Sequence, residues 1–262
     1  MKKISAILIT HNEEEKIEQA LKSLRSVSDE IIVVDSHSTD STIAICHRYT
    51  DRVIVKSWEG YRAQKQFATE QATHAWILSL DADEILSAEL KREILEWKNQ
   101  ASKFQSYRMA RKTFFMGRWI SHTTWYPDWQ LRLFAKSSGS WKGGRVHESF
   151  RTSEATGRLK GQLYHYTYSS FSEYLHQLEN FSTLAARDYL DSGKTVYWTH
   201  IGFYPLGIFL KNYLIKFGFL DGLPGLFISL LAAFSTLFKY LKAWEIQSKQ
   251  HIRFPYGSCN EK

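Results

Sequence analysis

Residues His74 to Glu84, HAWILSLDADE, set a nearly continuous apolar run directly against acids. Trp76, Ile77, Leu78 and Leu80 leave too little length for a helix, so the segment is expected as a strand buried on both faces of a parallel sheet. Because side chains alternate along a strand, Asp81 and Asp83 are expected to leave its carboxyl end on one side, with the small Ala82 between them. That edge is where open α/β sheets bind ligands. Two neighbouring carboxylates repel unless a cation lies between them, and hard oxygen donors suit Mg²⁺ or Mn²⁺ bridging to substrate phosphates. Taken alone, the same residues also describe a strand, a solvated turn and the acidic start of a helix.

The chain upstream supplies matching units. Ile4 to Thr10 is an apolar run ending in polar residues, and Glu13 to Leu24 places Ile17, Ala20, Leu21 and Leu24 at helical spacing. Glu30 to Asp35, EIIVVD, is a second apolar strand ending in an acid, followed by a helix from Asp40 to Tyr49 with Ser38 or Asp40 as its N-cap. A third strand, Arg52 to Val55, and a third helix, Gly60 to Thr73, lead into the acidic strand. Alternating units of this kind imply a parallel sheet with its carboxyl ends along one rim. That rim collects Thr10, Asn12, Glu13, Asp35, Ser36, Ser38, Asp40, Asp81 and Asp83. No G-x-G-x-x-G follows the first strand and no Walker-type G-x-x-x-x-G-K occurs, so phosphates must be held by a metal or by basic side chains. Asp35 is placed to accept hydrogen bonds from a base or ribose, or to cap the next helix.

Three motifs in order, SAILITHNEEEKIEQALKSL, EIIVVDSHSTDST and AWILSLDADE, resemble the nucleotide-sugar half of a glycosyltransferase family 2 enzyme with the GT-A fold. Downstream, YPDWQLRLF, GRVHESF and GFLDGLPG are similar to the lipopolysaccharide core transferases that add β-glucose to an inner-core heptose. The resemblance implies an α/β fold: a Rossmann-like mixed sheet flanked by helices over residues 1–165, with a helical, membrane-associating extension over 166–262. The first 100 residues are then the nucleotide-sugar half and 101–165 the acceptor half. It implies that Thr10, Asn12, Glu13, Asp35, Ser38, Gln64, Lys65, Asp81 and Arg132 hold a UDP-sugar. Asp83 and His147 are the implied ligands of a divalent Mg²⁺ or Mn²⁺.

Ser102 to Lys136 interleaves Tyr107, Phe114, Phe115, Trp119, Trp125, Tyr126 and Trp129 with Arg108, Arg111, Lys112 and Arg118. Such a surface suits a sugar acceptor. Stacked aromatics with cations also bind single-stranded nucleic acid, but the recognisable RNA-binding motifs are missing, so nucleic acid is not an expected partner. Arg132, on a likely strand with Gln130, would neutralise a diphosphate or serve a structural ion pair. An inverting transfer needs a base for the acceptor hydroxyl. Glu148 is the first candidate and Asp128 the second, since the ED-type motif common in the family is lacking.

Two cysteines far apart, Cys46 and Cys259, exclude a disulfide framework and suit a reducing compartment. The start, MKKISAILITHNEEE, does not read as a signal peptide, so a cytoplasmic location is expected. A net charge of +7 suits anionic partners, and 15% aromatic residues suit carbohydrate or membrane interfaces. Tyr164 to Leu190 reads as a turn and then an amphipathic helix. Val196 to Leu241 is rich in Phe, Tyr, Leu and Ile and is punctuated by glycine and proline, with Lys211, Lys216, Lys239 and Lys242 beside apolar faces. Its longest uncharged run, Gly222 to Phe238, is 17 residues, at the lower edge of a bilayer span. Short helices lying on an anionic membrane surface are therefore expected. A polyprenyl-phosphate sugar transferase, or a nucleotide- or glycan-binding module without chemistry, are the alternative readings.

Overall fold

In the computed structural model, which describes residues 1–143, 148–166 and 171–249, the first strand β1 (Ile4–Thr10) lies between β2 (Glu30–Asp35) and β4 (Trp76–Asp81). Both partners run parallel to it, as does β3 (Val53–Val55) beside β2. Alternation along β1 sends Ile4, Ala6 and Leu8 into one apolar cluster and Ile7 into another on the opposite face. Helices α1 (Ile17–Leu24) and α2 (Thr42–His47) contribute to the first cluster. Helix α3 (Tyr61–Gln71) closes the second through Ala68. Helices α1 and α2 begin later than the periodicity predicts. Asn12 takes a left-handed φ of 52°, and Glu13 to Lys16 form a turn before α1.

After β4 the expected alternation of strand and helix stops. Residues 82 and 83 turn the chain into a short strand, β5 (Glu84–Leu86), and only then does α4 (Ala88–Asn99) begin, capped by the Ser87 hydroxyl, which accepts from the Leu90 N–H at 3.1 Å. The acidic motif therefore does not open a helix. Strands β6 (Ser106–Phe115), β7 (Arg118–Trp119), β8 (Asp128–Ala135) and β11 (Gly157–His165) complete a nine-stranded mixed sheet among the described residues, in the order β3-β2-β1-β4-β8-β6-β11-β5, with β7 paired to β6. The expected turn at Tyr164 is the end of β11. A separate pair, β9 (Gly139–Lys142) and β10 (Ser149–Thr152), packs Trp141 and Phe150 against Phe134. Gly161 lets α4 close on the sheet, since a Cβ there would stand 2.4 Å from the Leu90 backbone.

The chain divides into two compact units, Met1–Ser169 and Ser170–Lys262. In the second, α5 (Phe171–Asp191), α6 (Trp198–Leu210) and α7 (Gly222–Lys249) are the helices. Helix α6 runs on into a wider π-turn at Lys211–Ile215, and a 3₁₀ turn at Gly218–Asp221 leads into α7. The short, interrupted helices expected from the glycines and prolines give way to a helix of 28 residues. Pro224 falls in the first turn of α7, where a missing N–H is harmless. Lys242, expected to face lipid, instead donates to the Glu179 carbonyl and the Ser182 and Thr183 hydroxyls of α5 at 2.7 to 2.9 Å. Lys239 lies 4.0 Å from the centre of the Tyr240 ring.

Candidate functional site

Strand β4 delivers Asp81 to the sheet rim, where register sets it beside Ile9 of β1. Its carboxylate sits between two cations. Lys65 of α3 approaches Oδ1 at 2.8 Å, and the Arg132 guanidinium of β8 bonds Oδ2. Arg132 also bonds Glu84, a carboxylate with no exposure, which in turn accepts from Arg111 of β6 at 3.2 Å. Burial opposes charge on Asp81, yet Arg132 and Lys65 hold it far below the usual carboxylate range. Burial likewise opposes charge on Lys65 and Arg132, and the neighbouring carboxylates, Asp81 foremost, raise both above their ordinary values. All three groups therefore stay charged, and removing one partner would leave buried charge unpaired.

Asp83 points elsewhere. The chain turns after Asp81, so the two aspartates do not continue one strand as alternation predicts. Asp83 Oδ2 instead lies 3.2 Å from Nε2 of His165, the last residue of β11. Burial raises the Asp83 pKa and the imidazole overrides it, holding the carboxyl below its usual range. His165 is registered between Glu84 on β5 and Thr113 on β6, and the Thr113 hydroxyl lies 3.2 Å from its Nδ1. That contact fixes the ring and directs Nε2 to Asp83. His147, the implied second metal ligand, lies outside the described residues. His165 was missed by the sequence reading, although Leu159, Gly161, Leu163 and His165 share the buried phase of an alternating strand.

The chemistry of this donor set fits a divalent cation. Asp83 offers a hard oxygen and His165 a nitrogen, while no group of three or more His, Cys, Asp or Glu closes a metal site among the described residues. Remaining positions would fall to substrate oxygens or water. Charge points the same way: the carboxylates Asp81, Asp83, Glu84, Asp128 and Glu148 outnumber Lys65, Arg111 and Arg132 by two.

Along the same rim, β1 and β2 place Thr10 beside Asp35. Asp35 is fully buried and does not cap α2: its carboxylate accepts the Ser38 N–H at 2.8 Å and also the Ser38 hydroxyl. The N-cap of α2 is Ser41, not Ser38 or Asp40 as the sequence suggests, and Asp40, one position earlier, accepts the Thr42 N–H at 3.0 Å. Asn12 donates its N–H to the Ser38 hydroxyl and accepts from the Thr39 N–H, and Glu13 donates its N–H to Thr42, which fastens the β1 and β2 loops together. Gln64 donates to Ser36 Oγ and to the carbonyls of Lys56 and Ser57. Three buried polar atoms on these elements lack any hydrogen-bond partner: Thr10 Oγ1, Gln64 Oε1 and Arg132 Nε. Buried polar atoms left unpaired are rare in folded chains, and at a sheet rim they mark where a ligand would bond.

The two candidate bases differ in surroundings. Glu148 is nearly buried, and its Oε1 accepts from Lys65 at 2.8 Å, the same ammonium that meets Asp81. Asp128 opens β8 with its side chain 32% exposed; Oδ2 accepts two bonds from Arg111, at 2.9 and 2.7 Å, and Oδ1 accepts from Gln130. Around His165 the aromatic segment forms a continuous wall. Trp119 lies tilted by 35° against Tyr164 with ring centres 4.5 Å apart and meets Phe114 and Tyr166 edge-on at 5.2 and 5.4 Å.

The glycosyl transferase family 2 model matches residues 5–157. An uncharacterized glycosyltransferase of Rickettsia typhi is 31% identical, over 95% of this chain and 89% of its own. The lipopolysaccharide core biosynthesis glycosyltransferase LpsC of Rhizobium meliloti is 29% identical, over 95% and 94%. Among solved structures, Staphylococcus aureus TarS residues 1–349 in complex with UDP-GlcNAc superposes with a TM-score of 0.48 and 15% identity, covering 95% of this chain and 92% of that one.

Proposed function

This protein belongs to glycosyl transferase family 2, and we propose that it moves glucose from UDP-glucose, with inversion, onto a heptose of the lipopolysaccharide inner core at the inner face of the cytoplasmic membrane. The observation that carries this reading is the divided role of the acidic motif, with Asp81 clamped between two buried cations and Asp83 turned toward an imidazole. The likeness to LpsC, whose name places that relative in core biosynthesis, supports the acceptor. Exposed Trp198, Phe203 and Ile215 in the helical unit, together with exposed Lys211 and Lys216, support residence on an anionic surface.

Thr10, Asp35 and Gln64 take the nucleoside end of the donor, and Lys65 and Arg132 present fixed positive charge to its diphosphate. Asp83 and His165 would hold a divalent metal, which when bound supplies charge to the departing diphosphate. Asp128 is the favoured base, since Glu148 is nearly buried and tied to Lys65. Its carboxylate accepts the proton of the acceptor hydroxyl, the acceptor oxygen bonds to the anomeric carbon, and the bond to UDP breaks with its electron pair leaving on the diphosphate. The test is UDP release from a panel of UDP-sugars with Mn²⁺, with and without a heptose-bearing core saccharide. Release should require UDP-glucose and the heptose. Release that requires polyprenyl phosphate instead would reassign the acceptor, and binding without release under any condition would overturn the catalytic reading.

A further inference from the structure

The turn between α6 and α7, which carries the GFLDGLPG motif, is built inside out. Its buried residues are Asn212, Gly218, Asp221, Pro224 and Gly225, whereas Leu214, Ile215, Phe217, Phe219, Leu220 and Leu223 are exposed, Ile215 by 70% and Leu223 by 68%. A turn made for water shows the opposite pattern. Nor is the display a product of a loose loop. Phe217 adopts a left-handed φ of 55°, Asn212 donates to the Ile208 carbonyl at 3.1 Å, and a Cβ on Gly225 would stand 1.8 Å from the Gly218 carbonyl oxygen. Small and polar residues thus form a fixed frame that holds a contiguous set of apolar side chains outward, the mark of an interaction surface. Charge selects the partner. Of the four lysines flanking the apolar faces, Lys239 and Lys242 are engaged within the helical unit, and Lys211 and Lys216 beside the turn are exposed. Lysines bordering an apolar tip suit lipid phosphates, with their stems lying along the acyl boundary.

We propose that this turn is a wedge that enters the acyl layer of an anionic bilayer, Phe217, Phe219 and Leu220 within it and Lys211 and Lys216 at the phosphates. The proposal rests on the membrane-surface reading above and gives it a point of entry. The test uses the full chain with Cys259→Ser and Leu220→Cys, labelled with an environment-sensitive fluorophore. Cys46 is buried, and burial pushes its thiol up to about 12, so it stays unlabelled. Phosphatidylglycerol–phosphatidylcholine vesicles should shift the emission to the blue, and bromine on the acyl chains should quench it. Phosphatidylcholine alone should do neither. Phe219→Ser with Leu220→Ser should weaken vesicle partition by roughly 10-fold or more while leaving thermal unfolding unchanged. A protein that sediments with the vesicles while the label stays in water would overturn the wedge and spare the membrane reading. A protein that never sediments would remove both and leave the UDP-release result untouched. A blue shift that needs only higher protein concentration would make the turn a self-association surface and overturn the proposal.

Discussion

The sheet unit and the turn between α6 and α7 sort their residues by opposite rules. In the sheet, Ile7, Leu8, Ile77, Leu78 and Leu80 are sealed inside, and charge is gathered at one rim, where Asp81 and Glu84 are answered by cations and Asp83 by an imidazole. In the turn, an aspartate and an asparagine are sealed inside while phenylalanines and leucines face outward. The contrast teaches that one chain uses burial in two opposite ways. On the proposed function, the buried charge of the sheet is retained for a diphosphate and the exposed apolar surface of the turn for lipid.

The largest effect that would break or sharpen this contrast lies at the rim. Asp83→Ala and His165→Ala should each lower UDP release by on the order of 10²–10³-fold, the scale of lost electrostatic stabilisation, with circular dichroism unchanged. A smaller effect tests the two rules of burial against each other. Leu80→Ala opens a cavity beneath β4 and should cost about 3 kcal/mol in urea unfolding, whereas Leu220→Ala, more than half exposed, should cost no more than about 0.5 kcal/mol. Equal costs would mean that the turn is covered by protein. The third effect separates the acids at the rim. Asp128→Asn should cut turnover by roughly 10²-fold with UDP affinity unchanged. Glu148→Gln strips the charge that pairs with Lys65, so it should weaken donor affinity more than turnover; the reverse pattern would exchange the roles.

Much of this was legible from the residues. Three apolar runs ending in polar groups locate β1, β2 and β4, because doubly buried parallel strands leave that mark in sequence, whereas β3 is a short edge strand whose Val55 is exposed. What the runs do not carry is the partnership of side chains distant in the chain. Lys65 meets Asp81 across 16 positions and Arg132 meets it across 51, and His165 reaches Asp83 through a strand whose end reads as a turn. The acidic motif itself misled on one point. Alternation assumes that the strand continues, but the chain bends after Asp81, so two aspartates that look paired take separate partners. Asp35, read as an acceptor for a base or ribose or else as a helix cap, does not cap α2 and braces its own loop through Ser38. In the helical unit, glycine and proline suggested interruption, and the chain does break at Gly218–Asp221, but Pro224 in the first turn and Gly225 packed on Gly218 leave α7 unbroken over 28 residues.

On the proposed function, Asp83 and His165 form half of a metal site that the donor completes. Electron paramagnetic resonance titration of Mn²⁺ into the full-length protein, with and without UDP, tests it without reference to turnover. The wild type should bind Mn²⁺ weakly alone and substantially tighter with UDP, and His165→Ala should weaken the UDP-dependent binding by roughly 10-fold or more, since even supporting ligands carry 10- to 100-fold in metal affinity. Mn²⁺ binding that is indifferent to UDP, or that survives His165→Ala unchanged, would contradict the assignment.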